Sequence, residues 1–199
     1  MSAAGQGSLF DLPPPPTEIH RLFFALWPDD ATRAAMHERA VALRRTSGVE
    51  ARWLGAHRYH MTLHFLGDRP VLDAPLLARA SEAVAALDLP AFDLCLDQAG
   101  SFANRSIPLW LGCSRTPPAL ADLHAALGSA LGRAGVRLHP PLKLVPHVTI
   151  ARDAAVRLDA PLPPVTWRVD RFVLIHSVLV PTSAYAIAGE WPLGRHSGA

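Results

Sequence analysis

The chain has 199 residues, half of them hydrophobic and 18% charged, with Lys+Arg 19 against Asp+Glu 17 and a formal net charge of +2. That composition supports a hydrophobic core and excludes a disordered chain. The small net charge speaks against a protein that coats long nucleic acid, which needs a strong basic excess, but it accommodates a small anionic substrate or the end of an RNA. Apolar stretches such as Phe172 to Ile175 and Val178 to Val180 are too short to span a bilayer. The N-terminus carries neither the basic nor the apolar part of a secretory signal. A cytoplasmic location away from membranes is therefore expected. Cys95 and Cys113 lack metal-ligand spacing and read as buried free thiols of a reducing compartment. Lys143 is the sole lysine, so arginine, with its forked donors, is the cation available for phosphate.

Residues 1–19 read as a flexible tail around Pro13 to Pro16, a run that favours extended polyproline structure without a core. Within it, Gln6-Gly7-Ser8-Leu9-Phe10 loosely resembles a peptide that docks on the bacterial sliding clamp. Arg21 to Trp27 predicts a buried strand. Asp29 and Asp30 offer the cap and first-turn acid of a helix running to about Arg45, ended by Gly48. Arg52 to Leu54 is a short extended piece and Tyr59 to Leu66 a strand. Asp73 to Leu87 reads as a second helix. Phe92 to Leu96 alternates as a strand should and pairs with Ile107 to Leu111 through a turn near Asn104. Pro117 to Ala134 is a third helix with Gly135 past its end. Pro146 to Ala151 is a strand, Trp167 to Val180 is one bent strand or two, and Ala184 to Ala188 closes the chain. This order is α+β, with helices outside largely antiparallel sheets. Residues 20–199 are expected to form one domain of two lobes, acting as a monomer.

Two of these strands carry related strings, His60-Met61-Thr62-Leu63 and His147-Val148-Thr149-Ile150. Alternate side chains of a strand share a face, so each string presents one imidazole beside one hydroxyl. A neutral imidazole can take a proton from water and an imidazolium can protonate a departing oxygen, because histidine titrates near pH 6.5. The hydroxyls can donate to the non-bridging oxygens of a phosphate and offset charge that builds there. No metal is required, in keeping with the lack of a carboxylate cluster near either string. His60 and His64 would share the strand face, but about 13 Å apart at roughly 3.3 Å per residue, too far for one metal ion; His64 is placed at the cleft rim. His37, His124, His139, His176 and His196 read as helix-surface, loop or strand-edge residues. Phe24, Trp53 and Phe65 are candidates for stacking a nucleobase, against core packing, the stronger reading for Trp53 and Phe65. Spacing alone leaves open whether the two strings are functional.

Their surroundings carry a resemblance. Arg21 to Leu26, Arg52-Trp53-Leu54, His60 to Asp68, Pro108 to Gly112, Pro146 to Asp153, and the closing Ser177, Tyr185 and Trp191-Pro192-Leu193 resemble the two-histidine (2H) phosphoesterases. The likeness is to their bacterial and archaeal RNA 2′,3′-cyclic phosphodiesterases, the LigT-like or 2′-5′ RNA ligase group. It covers about residues 21–193. It implies a bilobal α+β fold of two pseudo-symmetric lobes with the active site in the groove between them. It also implies hydrolysis of an RNA 2′,3′-cyclic phosphate, at an RNA 3′ end or in a small cyclic nucleotide, to a 2′-phosphate, with no cofactor. His60 would then be the proton donor, His147 the proton acceptor, and Thr62, Thr149 and Arg152 the phosphate contacts. Reversible 2′-5′ joining of RNA ends and a non-catalytic module that binds RNA ends are the alternatives. The chain departs from the group at Pro140 to Val145, where a His-Pro-His lead-in is usual, and in its Pro-rich N-terminal extension.

Overall fold

The structure, a computed structural model, describes residues 18–103, 105–138, 144–179 and 184–194. The tail with its clamp-like peptide, Asn104, His139, most of the Pro140 to Val145 segment and His196 lie outside the described residues.

The first strand, β1 (His20–Leu26), is hydrophobic on both faces because both are covered. Leu22, Phe24 and Leu26 enter the main core, whereas Phe23 and Ala25 join Val173 and Ile175 in a second, smaller cluster. Helix α1 (Asp30–Ser47) begins where the Asp29 carboxylate accepts the Thr32 N–H at 2.7 Å. It buries Thr32, Met36, Ala40 and Leu43, a stripe at helical spacing. Strand β2 (Arg52–Trp53) and a short turn of 3₁₀ helix (Ala56–Arg58) lead to β3 (Met61–Arg69). Helix α2 (Ala74–Val84) is capped by Asp73, whose carboxylate accepts the Leu76 N–H at 2.9 Å. There follow β4 (Phe92–Ser101), β5 (Leu109–Gly112), α3 (Pro118–Arg133) and β6 (His147–Arg152).

The β-rich stretch after β6 is two strands in two different sheets, β7 (Asp159–Val169) and β8 (Arg171–Val178), with Asp170 between them; β9 (Ala184–Pro192) completes the described chain. Sequence reading misses the first half of β7 because Pro161, Pro163 and Pro164 lie in it. The strand is an edge, where a residue without an N–H leaves no ladder bond unmade.

One sheet has the order β3-β1-β8-β9 and the other β2-β6-β5-β4-β7. All pairings are antiparallel. Helix α1 packs on β7, α3 on β3, and α2 on α3. The architecture is thus the expected α+β arrangement, with one His-x-Thr strand in each sheet, and β3 meets β6. Cys113 is half-buried but Cys95 is exposed, contrary to expectation. On β4 it falls with Asp93 on the outward side of a strict alternation in which Phe92, Leu94 and Leu96 point inward. Among the described residues no helix is long and apolar enough to cross a membrane.

Candidate active site

Each motif strand keeps its alternation only as far as the threonine. In the β1–β3 ladder Ala25 faces Thr62 and Phe24 faces His64, leaving Leu63 as an extra residue. In the β5–β6 ladder Trp110 faces Thr149 and Leu109 faces Ala151, leaving Ile150 over. A bulge of this kind shifts the side chains beyond it to the opposite face. The groove face therefore carries His60, Thr62 and Phe65 from one sheet and His147, Thr149 and Arg152 from the other. Phe65 and Arg152 occupy equivalent positions, five residues after their histidines. His64, expected at the cleft rim, is turned by the bulge towards α3, where its Nε2–H donates to the His124 carbonyl at 2.8 Å. His124 is correspondingly half-buried against β3 rather than a helix-surface residue.

The two strands face each other across a groove of about 790 Å³. Its lining adds Arg21, Phe23, Arg52, Trp53, Arg58 and Tyr185 to the motif residues. Phe24, expected to stack a base, is fully buried on the core side of β1 against Phe172 and Trp191. Its neighbour Phe23 is the aromatic of β1 that reaches the groove. Trp53 is half-buried, packed on the core along one side and open to the groove on the other.

Both imidazoles are held in the same way. His60 donates Nδ1–H to the Arg58 carbonyl at 2.8 Å, and His147 donates Nδ1–H to the Val145 carbonyl at 2.7 Å. In each case the acceptor lies two residues earlier in the chain. Tying Nδ1 to the main chain fixes the tautomer and leaves Nε2 for a substrate.

The rings differ in surroundings. His60 lies against Phe23 at 5.0 Å, the edge of Tyr185 at 5.3 Å and Trp27 at 6.3 Å between centroids. Burial among these rings lowers its pKa from 6.5 to about 4. The nearby cationic groups of His147, Arg58 and Arg152 push the same way, against the Arg58 carbonyl, which favours the proton. His147 meets the edge of Phe102 at 4.8 Å. Its pKa is lowered too, by burial first and then by Arg152, against the Val145 carbonyl.

Carboxylates hold two of the groove arginines. Arg21 is bidentate to Asp68, with both bonds at 2.7 Å, and Arg52 meets Asp153 at 3.0 Å. Arg58 donates to the Tyr185 hydroxyl at 3.1 Å. Arg152 has no ion-pair partner among the described residues. Asp153, just past it, takes a positive φ of 56° as the chain turns away from β6. Among the described residues no group of three or more His, Cys, Asp or Glu side chains is arranged to hold a metal ion.

Arg58, Phe23 and Trp27 carried no functional signal in the sequence, although Arg21 and Phe23 share one parity on β1 and could have been paired with Phe65 on that ground. Tyr185 comes from β9, too far along the chain for any local pattern to bring it to His60.

Two antiparallel sheets, each presenting a His-x-Thr strand to one groove, define a two-histidine phosphoesterase architecture. The chain belongs to the 2′-5′ RNA ligase superfamily, whose family model matches residues 28–179. Among its relatives is an RNA 2′,3′-cyclic phosphodiesterase of Thermus thermophilus, 32% identical over 190 residues that cover 88% of this chain and 92% of that one. A protein of the same description from Escherichia coli is 33% identical over 153 residues, 76% of this chain and 82% of its own. The crystal structure of E. coli LigT complexed with 3′-AMP superposes with a TM-score of 0.74 at 29% identity, covering 89% of this chain and all of that one.

Proposed function

We infer that the protein hydrolyses RNA 2′,3′-cyclic phosphate ends to 2′-phosphates by acid–base catalysis between His60 and His147. The observation that carries this reading is the matched pair of imidazoles, each locked through Nδ1 and each beside a threonine, facing one groove from two sheets. The relatives described as RNA 2′,3′-cyclic phosphodiesterases, and the nucleotide bound by the E. coli neighbour, support the substrate class.

In this reading the phosphate lies between the two strings, with Thr62, Thr149 and the Arg152 guanidinium donating to its non-bridging oxygens. Nε2 of His147 takes a proton from water as the water oxygen bonds to phosphorus. The bond from phosphorus to O3′ breaks, and Nε2–H of His60 gives its proton to O3′. The new hydroxyl stays on the ribose and the phosphate stays on O2′. His60 is neutral near pH 7 in the free protein, since its proton affinity is low. The anionic phosphodiester supplies the charge that restores that affinity, so the acid is armed by its own substrate. The Arg21 guanidinium lies 5.3 Å over the Phe65 ring, and this cationic aromatic pair at one end of the groove is suited to stacking a base.

The test is to incubate the protein with an oligonucleotide ending in a 2′,3′-cyclic phosphate and to locate the product phosphate by ³¹P NMR. A 2′-phosphate is expected, formed equally well in EDTA. His60→Ala and His147→Ala should each lower kcat by about 10²- to 10⁴-fold while the protein remains folded. Full turnover in either variant overturns the assignment, and a 3′-phosphate product reverses the side on which the acid acts.

A further inference from the structure

The two bulges that shape the site are held in different ways. Strand β6 lies inside its sheet, and the carbonyl of its extra residue, Ile150, accepts the N–H of Leu54, just past β2, at 2.9 Å. Among the described residues strand β3 is an edge, with β1 on one side and no strand on the other. An edge strand leaves a row of main-chain groups without ladder partners, and a bulge there has nothing in the sheet to fix it. Helix α3 packs against this strand.

Two histidines bridge β3 and α3. His64, next to the extra residue Leu63, donates Nε2–H to the His124 carbonyl at 2.8 Å. The His124 ring stacks on the His64 ring, 4.1 Å between centroids and 26° between planes, near enough to the Leu63 main chain for that chain to favour its proton. The His64 ring thus reaches the α3 backbone, and the His124 ring covers it. Gly128 eases the close approach: a Cβ there would stand 3.2 Å from His64 Cε1 and 3.3 Å from Nε2, a tight contact. Burial lowers the pKa of both histidines, so the pair is uncharged near pH 7 and no two cations are pressed together.

We propose that His64 of β3 and His124 of α3 are positioning residues which together pin the bulge of β3 and so keep His60, Thr62 and Phe65 together on the groove face, the part that Leu54 plays for the second motif. The consequence of losing them follows from strand geometry. If the bulge at Leu63 relaxes into regular pairing, every side chain beyond it changes face. His64 then turns into the groove beside Thr62 and Phe65 leaves it, so that a phosphate held by Thr62 is displaced from its line with His60.

This inference rests on the cyclic phosphodiesterase reading for its kinetic arm alone. The experiment uses the full chain with His64→Leu, His124→Leu and His64→Gln, following hydrolysis of a 2′,3′-cyclic-phosphate oligonucleotide and, in parallel, backbone hydrogen exchange. Glutamine keeps a donor near the place of Nε2. Both leucine variants should lose kcat by about 10- to 100-fold, the scale of a misplacement near 1 Å, with a smaller change in KM. Exchange should quicken at Thr62 to Phe65 while β5 and β6 stay protected. His64→Gln should recover most of kcat and of the protection. Wild-type kcat in both leucine variants overturns the proposal, as does lost kcat with unchanged exchange at Thr62 to Phe65. Should the leucine variants lose protection throughout, His64→Gln decides: a folded protein with kcat as low as a site knockout overturns the proposal and retained kcat supports it. A wild-type protein that hydrolyses nothing refutes the functional reading, while the exchange data still report on the brace.

Discussion

Phe23 and Phe24 are adjacent in β1 and point to opposite sides of it. Phe24 is fully buried with Phe172 and Trp191, so Phe24→Ala should cost about 3–5 kcal/mol of stability. Denaturant unfolding measures that, and the histidines of the folded fraction should titrate as before. Phe23 instead packs on the His60 ring. Phe23→Ala admits water beside His60 and should raise its pKa from about 4 towards 6.5. An NMR titration of the His60 ring reads this directly, and an unmoved value would show that burial by Phe23 is not the cause.

The same lowered proton affinities set the pH dependence of the reaction. The free protein must carry a proton on the acid and none on the base, and both imidazoles are held below 6.5. The quantity kcat/KM, which reports the free protein, should peak below pH 6.5 and fall above it. The falling limb of kcat should lie at higher pH, because bound phosphate raises His60. A kcat/KM that stays flat from pH 6.5 to 9 would show that His60 need not be protonated.

At the scale of elements, the bulge is the unit that determines the site. Regular strands would put His64 in the groove and Phe65 out of it, which is the placement that strict alternation predicts from sequence. Leu63 and Ile150 are ordinary strand residues, and nothing in their chemistry announces that they stand out of register in the ladders with β1 and β5. Close packing beside Thr149, on β4 and β5, adds a second constraint. The Trp110 indole lies over Gly100 and Gly112, and a Cβ on Gly100 would stand 2.3 Å from it. Gly100→Val must therefore displace the indole, at a cost of about 1–3 kcal/mol. Because Trp110 pairs with Thr149 across the ladder, kcat should drop as well. Unchanged unfolding midpoint and near-UV circular dichroism would show that the indole moves freely. The helices, by contrast, follow their sequence signals closely, since Asp29, Asp73 and Gly48 act on the few residues beside them.

For the whole molecule, the sheets interleave. The last two strands, β8 and β9, complete the sheet that β1 and β3 begin, and the five-stranded sheet is built from the segments between. Tyr185 of β9 thereby reaches His60. Burial of several histidines at once has a consequence for stability. His60, His64, His124, His147 and His176 all have a folded-state pKa below 6.5, with burial the largest cause. In the unfolded chain they titrate near 6.5. Below that pH the unfolded state binds more protons, so stability falls as pH falls from about 6.5 towards 4. The urea midpoint should be lower at pH 5 than at pH 7.5, and equal midpoints would contradict the neutral, buried state of these rings.

What the sequence by itself determined is what short-range chemistry can carry: the residue types of the two strings, the hydroxyl two places after each imidazole, the α+β order of elements, and the family, from blocks spread along the chain. Tertiary structure decided which aromatic faces the groove, where His64 points, that the proline-rich half of β7 is strand as well, and how strongly His60 resists a proton. Each of these depends on a partner far away in sequence. The ladder with β1 creates the bulge, α3 receives His64, an edge position tolerates the prolines, and rings from β1 and β9 dehydrate His60. Side-chain alternation is local and can be read from residue order, but register and burial come from non-local pairing and exist only once the two sheets have met.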